Sequence, residues 1–322
     1  MAKIMIVGSF ADSLISFRGP LIQELRDQGH SVTACVPDAG EKTRSKLAAM
    51  GVTYKDIRLN RTGLNPFQDL ASMVGLFRIF RNEKPDQVLF YTVKPVIYGS
   101  IAAKIAGVET ICSMITGLGY AFTGIGLKTR TLGGLIRQLY RLALRHNKTV
   151  FFQNGDDLAA FIHQGLVQGF KARRINGSGV DLEHYSPEPR PEQCSFLLIA
   201  RLLGDKGVRE YAQAAGMIKK KHPEIQFRLA GWLDDNPACI SKSELKEWVS
   251  NGTLEYLGRL DDIRPAMADC SVYVLPSYRE GMPRTVLEAM AMGRPVITTD
   301  APGCREAVAD GINGLLVPVR DG

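Results

Sequence analysis

The chain has 322 residues, of which 45% are hydrophobic, 23% charged and 8% aromatic; this excludes disorder and fibrous repeats and fits two globular domains of roughly 150 residues each. The net charge of +7 is uneven, with 24 Lys/Arg against 15 Asp/Glu in residues 1–190 and a slightly acidic remainder, which points the first half toward nucleic acid, an anionic membrane surface or a phosphate-bearing substrate. No apolar run approaches the ~18 residues of a membrane-spanning helix.

Taken in order, strand patterns fall at 3–8, 31–36, 53–58, 87–92, 109–115 and 149–153, with helical patterns at 20–28, 41–50, 68–82 and 156–164 among them. A second block repeats the alternation, with strands at 195–200, 225–230, 253–257, 271–275, 294–299 and 314–317 and helices at 207–220, 243–250, 262–268 and 284–292. Buried strands alternating with helices imply parallel sheets built from βαβ units. The expected fold is α/β, two Rossmann-like domains at 1–185 and 186–322 whose sheets face each other across a cleft. Gly177–Asp181 and the proline-rich Ser186–Pro191 read as the link. Cys35, Cys112, Cys194, Cys239, Cys270 and Cys304 are at least 31 residues apart, so neither a metal nor a redox pair is expected and all six read as reduced thiols of a cytosolic protein. The apolar run at the start of the sequence is shorter than an h-region needs, so no secretory signal is expected.

Open α/β sheets bind ligands beyond the carboxyl ends of their strands, and three loops of the second block carry suitable residues there. Ala200–Gly207 follows a strand and opens a helix, placing Arg201 and Lys206 where two cations and a helix start suit a diphosphate. The alternative is a solvated surface loop. In Leu275–Ala291, Glu280 precedes a helix and Glu288 lies inside it, flanked by the apolar Val286, Leu287, Met290 and Ala291. A carboxylate so buried needs a partner, and a ribose diol would suit it. Gly281, Met282 and Pro283 offer close backbone approach and a helix start. The alternative is one capping and one solvated glutamate. Asp300–Glu306 is the third such loop.

Arg201 with Lys206, Glu280 with Glu288, and Gly179-Val180-Asp181 together resemble the family-4 retaining glycosyltransferases of the GT-B fold. Leu64–Phe67, Tyr91–Pro95, Ile115–Tyr120, Phe17–Pro20 and Gly303–Glu306 narrow the resemblance to a bacterial branch that extends undecaprenyl-diphosphate-linked saccharides on the inner membrane face. The resemblance implies a UDP-sugar donor, with an N-acetylhexosamine such as GalNAc transferred, and no metal or other cofactor. It implies that Arg201 and Lys206 hold the diphosphate, that Glu288 holds the ribose and Glu280 the sugar, and that Tyr256–Arg259 borders the base. A histidine of many relatives is not replaced by any of the five here, which leaves Thr116, Gly117 and Gly119 as sugar contacts on the first domain. The family continues into helices beyond the last strand, so helices missing after Gly322 are expected, with impaired closure.

In the first block, residues 127–148 set Arg137, Arg141 and Arg145 on one helical face and Leu132, Leu135, Leu139 and Leu142 on another, after apolar Tyr120–Phe122 and Ile125. This is a basic amphipathic helix, read as a domain helix or as a lipid-docking one. Lys94, after a strand, is a candidate for the acceptor diphosphate or a surface lysine, and Arg18 is a similar candidate. The lipid-linked acceptor that the resemblance implies favours docking, so a peripheral protein on the cytoplasmic membrane face is expected, and no recognition motif supports nucleic acid. The competing readings are a UDP-N-acetylglucosamine 2-epimerase and a UDP-binding fragment without catalysis.

Overall fold

Ile4, Met5, Ile6 and Val7 alternate between two apolar cores, Met5 and Val7 in one, Ile4 and Ile6 in the other, as a central strand covered on both faces must. The computed structural model describes the chain apart from residues 61, 62, 64, 118–126, 234, 235 and 237 and the side chains of 127–130. Leu64, Leu118–Tyr120 (with Gly119), Tyr120–Phe122 and Ile125 of the expectations above lie outside the described residues.

The first sheet comprises β1 (Lys3–Val7), β2 (Ser31–Val36), β3 (Thr53–Asp56), β4 (Gln87–Tyr91), β5 (Thr110–Ile115), β6 (Thr149–Phe152) and β7 (Ala172–Arg174) in the order β3-β2-β1-β4-β5-β6-β7. All its pairings are parallel. The helices are α1 (Asp12–Asp27), α2 (Glu41–Ala49), α3 (Pro66–Glu83), α4 (Ser100–Ala106), α5 (Leu127–Leu144) and α6 (Gly155–His163). One core gathers Phe80, Phe90, Tyr140, Phe152 and Phe161; the other gathers Leu14, Ile22, Ala34 and Leu47 against β1 and β2.

The second sheet comprises β8 (Ser195–Ile199), β9 (Gln226–Ala230), β10 (Glu255–Gly258), β11 (Val272–Leu275), β12 (Val296–Thr299) and β13 (Gly314–Val317), ordered β10-β9-β8-β11-β12-β13 and again parallel. Its helices are α7 (Val208–Lys219), α8 (Lys242–Ser250), α9 (Arg264–Ala268) and α10 (Arg284–Ala291). Leu197 and Leu198 of β8 face opposite cores. Both sheets reverse direction beside their first strand, at β1/β4 and at β8/β11, which is where a doubly wound sheet opens a crevice.

The chain divides into two units at Ile175/Asn176, ten residues before the expected 185/186, because Val180 and Tyr185 pack into a core of the second unit. The first helix starts at Asp12 rather than at 20 and runs through Pro20, carried by buried Leu14, Arg18, Gly19 and Ile22; here packing overrides the local penalty of proline. The leucine stripe expected on α5 is split. Leu132 and Leu139 pack against the core and Ile136, Tyr140 and Leu144 are buried, whereas Leu135 and Leu142 are exposed alongside Arg141 and Arg145. Among the described residues no helix is long and apolar enough to cross a membrane, and no cluster of three His, Cys, Asp or Glu could hold a metal ion. None of the six cysteines forms a disulfide, and Cys194 is exposed.

Candidate active site

In the second unit the sequence folds so that three loops press together at the carboxyl edge of the sheet. The loop after β8 begins with Arg201 and ends in a 3₁₀ turn, Gly204–Lys206, leading through Gly207 into α7. Gly207 has φ +71°, and a Cβ there would lie 2.2 Å from the carbonyl oxygen of Pro276, so only glycine lets this loop touch the one after β11. The Tyr278 amide donates to the Asp205 carbonyl at 2.9 Å, and the Glu280 amide donates to the Pro302 carbonyl at 2.9 Å. Gly303 repeats the device against the third loop, where a Cβ would stand 2.2 Å from the Glu280 carbonyl oxygen.

This zipping sets Lys206 Nζ 2.6 Å from Glu280 Oε1, with side chains only 14% and 18% exposed. The two residues are 74 positions apart in sequence, and their meeting joins the two loops that flank the β8/β11 reversal. Arg201 is partly buried at the start of the same loop as Lys206. Gly281 and Pro283 are buried and Met282 partly so; Pro283 caps α10.

Glu288 lies just over one turn further on, 4% exposed. Its Oε1 is 2.7 Å from Arg284 Nε, one turn earlier on the helix, and the Tyr185 hydroxyl bonds to it. Burial raises the Glu288 carboxyl above its ordinary range, opposed by Arg284 and Tyr185. The Tyr185 hydroxyl is itself pushed up to about 12 by burial and by Glu288. Burial, with a hydrogen bond to Glu210, also pushes Tyr278 to about 12. Beyond β9 and β10, Arg259 stacks over the Trp232 ring at 5.0 Å, while Tyr256 donates to the Gly231 carbonyl at 2.8 Å. Tyr185 and Trp232 were not legible as site residues, since neither belongs to a spaced motif. Only the folding of the 176–185 segment onto α10 brings Tyr185 to Glu288.

The remaining candidates lie in the first unit. Lys94 follows β4 and sits 2.7 Å from Asp69 Oδ1, while Tyr98 donates to Asp69 Oδ2 at 2.9 Å. Arg18 is 4% exposed, its guanidinium 5.0 Å over the Tyr91 ring. Thr116 and Gly117, just past β5, line a cavity of about 120 Å³ with the residues that follow β4.

Two doubly wound sheets of this order, with a basic and acidic loop pair at the second reversal, define a protein of the GT-B class. Comparison bears on the particular family. The model of "Glycosyl transferases group 1" matches residues 193–322 and that of "Glycosyl transferase 4-like" matches 4–154. The chain is 31% identical over 323 aligned positions to the N,N'-diacetylbacillosaminyl-diphospho-undecaprenol alpha-1,3-N-acetylgalactosaminyltransferase of Campylobacter jejuni, covering 96% of this chain and 83% of that one. It is 26% identical to the UDP-Gal:alpha-D-GlcNAc-diphosphoundecaprenol alpha-1,3-galactosyltransferase of Escherichia coli, over 79% of this chain and 68% of that one. In structure it resembles Anabaena HepE solved with UDP and glucose, at a TM-score of 0.78 and 18% identity, covering 100% of this chain and 87% of that one. Sucrose-phosphate synthase of Thermosynechococcus elongatus gives 0.79 at 15% identity over 100% and 87%. The chain belongs to the family-4, group 1 glycosyltransferases and is a glycosyltransferase of the GT-B type. That membership does not favour the epimerase reading.

Proposed function

We propose that this enzyme moves an N-acetylhexosamine, GalNAc in the first instance, from a UDP-sugar to an undecaprenyl-diphosphate-linked saccharide with retention of the anomeric configuration. The observation that carries the reading is the Lys206–Glu280 pair at the sheet reversal, with Glu288 on the helix that follows. The names of the two relatives, both acting on diphospho-undecaprenol sugars, support the acceptor class.

In this reading Arg201 and Lys206 hold the diphosphate, Glu288 accepts from the ribose hydroxyls, and Glu280 accepts from hydroxyls of the transferred sugar. The amides of Gly281 and Met282 and the helix start at Pro283 face the same group. As the bond from the anomeric carbon to the β-phosphate oxygen breaks, its electron pair stays on that oxygen. Lys206 and Arg201 stabilise the charge that develops there. An acceptor hydroxyl attacks from the same face, and its proton passes to the leaving phosphate. Two protein cations supply the stabilisation, so the reaction is expected to run without a divalent metal. Thr116 and Gly117 are assigned to sugar contacts on the first unit. Lys94 and Arg18, candidates for the acceptor diphosphate, are instead assigned to holding the acceptor side in shape, given the Lys94–Asp69 ion pair and the seat of Arg18 over the Tyr91 ring.

The exposed Leu135, Arg141 and Leu142 of α5, with Arg145 just past its end, are assigned to an anionic membrane surface on the cytoplasmic side, each cation there contributing ~1 kcal/mol. Transfer from a panel of UDP-sugars to a polyprenyl-diphosphate-linked acceptor, in chelator and with the product anomer determined, tests the reaction. One donor giving an α product is expected; a β product overturns retention, and UDP bound without transfer to any acceptor favours the non-catalytic reading. Sedimentation with phosphatidylglycerol vesicles tests the surface, which fails if Arg145→Glu and Leu142→Ser bind as the unaltered chain does.

A further inference from the structure

The short stretch after β4 has an irregular backbone. Thr92 holds a left-handed φ of +68°, a conformation that a β-branched residue keeps only where its surroundings impose it. Its hydroxyl is tied to Ser9 Oγ at 2.8 Å and to the Tyr91 carbonyl. Immediately beyond, Pro95–Gly99 forms a π-helix, a rare turn that gathers at functional sites. The Lys94–Asp69–Tyr98 bonds then anchor this segment to the first turn of α3. Between it and the end of β5 lies the cavity of about 120 Å³, beside the β1/β4 reversal of the sheet.

That volume exceeds the roughly 10–15 Å³ a single water requires and falls short of the roughly 300 Å³ at which whole-ligand pockets begin. It fits one substituent of a sugar. Its lining is more apolar than polar, with Val93, Met114, Ile115 and Tyr140 beside Thr92, Thr116 and Gly117. A hydroxyl pushed against the apolar walls would be left without a partner. A methyl group is at home there, and the rim can serve an adjacent amide, Thr116 accepting from its N–H and the Gly117 N–H donating to its carbonyl.

We propose that this cavity is an acetamido subsite: it receives the N-acetyl group of an N-acetylhexosamine, and Thr92, Val93 and Thr116 determine that specificity. The proposal deepens the function proposed above and rests on that reading for the identity of the sugar. The acetamido group can belong to the donor or to the acceptor.

The experiment pairs UDP-N-acetylhexosamine or UDP-hexose with a polyprenyl-diphosphate-linked N-acetylhexosamine or hexose. It reads both transfer and the ¹³C-methyl resonance of Met114. Whichever acetamido-bearing partner occupies the cavity should move the Met114 methyl, while its hydroxyl counterpart leaves it in place; the responding arm names the source. Val93→Phe, which fills the cavity, should lower affinity and kcat/KM for that partner at least tenfold and change its hydroxyl counterpart less than twofold. Thr116→Val keeps the shape, removes one hydrogen bond and should cost about three- to tenfold. A selective methyl shift without transfer in any pairing supports the cavity and overturns only the assigned reaction. Equal or absent shifts in all arms overturn the proposal, as do variants that lose acetamido and hydroxyl partners alike.

Discussion

Each unit carries a cation, a carboxylate and a tyrosine bonded together, and the two triads serve different ends. In the first unit Asp69 spends one oxygen on Lys94 at 2.7 Å and the other on Tyr98 at 2.9 Å. Asp69 sits in the first turn of α3 and Tyr98 in the π-helix, so the triad ties two elements together. In the second unit Glu288 is inside α10 and its cation, Arg284, is one turn earlier on the same helix. That ion pair lies within one helix, with Tyr185 reaching Glu288 from the 176–185 segment, and burial still raises the Glu288 carboxyl above its usual range. A buried carboxylate whose charge is incompletely compensated by its own helix is suited to a ligand that brings further donors. In the reading proposed above, similar chemistry is a brace on one sheet and a binding group on the other, and the difference lies in whether the carboxylate's cation comes from another element or from its own helix.

The largest effect should come from the second unit. Lys206→Ala should lower kcat by roughly 10²–10³, the usual cost of deleting one group that stabilises developing oxyanion charge. Glu280→Gln should also abolish most transfer, yet it should tighten binding of UDP alone several-fold, because Lys206 then has no carboxylate 2.6 Å away to be drawn from. Calorimetry with UDP beside turnover assays separates the two variants. Equal losses of UDP affinity in both would contradict the assignment of Lys206 to phosphate and Glu280 to sugar.

The comparable change in the first unit should damage folding rather than catalysis. Asp69→Asn leaves the Lys94 ammonium, 13% exposed, without its counter-charge and should cost about 3 kcal/mol, read as a lowered denaturant midpoint. Replacing both residues by apolar side chains of similar volume should recover most of that loss. If Asp69→Asn instead preserved stability and weakened only the acceptor KM, Lys94 would return to the role of an acceptor contact.

This contrast also marks what was legible in the sequence. Strand and helix alternation placed nearly every element, because buried parallel strands read as apolar runs such as Phe196–Ile199. Gly207 and Gly303 sit against the loops of Lys206 and Glu280, which the sequence offered as a candidate anion site. The meaning of Lys94 was not legible, since its partner is 25 residues away and a lysine after a strand looks the same whether it is paired or waiting for a ligand. Nor was the split of the α5 leucines, because periodicity gives a helix its stripes but not which of them the rest of the fold covers. Thr92 and the π-helix carry no composition cue at all; their irregularity is imposed by tertiary bonds to Ser9 and Asp69.

A smaller effect separates the two carboxylates by pH. The Glu288 carboxyl is raised above its ordinary value near 4.5, so between that value and its folded one the native state holds more protons than the unfolded state. Stability therefore falls as pH rises through this window and stays reduced above it. Glu288→Gln should flatten that slope in a series of thermal melts. Over the same window UDP affinity should move the other way, rising as the carboxylate forms, and the glutamine variant should bind UDP roughly tenfold more weakly at neutral pH. A slope unchanged in the variant would mean that another group titrates.

The smallest and most discriminating change is Tyr185→Phe. The ring is 8% exposed and packs in the same core as Met267 and Val286, so phenylalanine keeps the packing and removes only the hydroxyl. That hydroxyl lowers the Glu288 carboxyl by bonding to its ionised form. Its loss should leave the carboxyl raised further, shifting the midpoint of pH-dependent UDP binding upward and weakening the neutral-pH KM for donor about threefold, with kcat nearly unchanged. A merely structural tyrosine would lower the melting temperature and leave the midpoint in place. The corresponding Tyr98→Phe change in the first unit should do the reverse, costing stability through Asp69 while the donor pH profile stays where it was. The pair of variants therefore asks directly whether one triad binds a ligand and the other braces the fold.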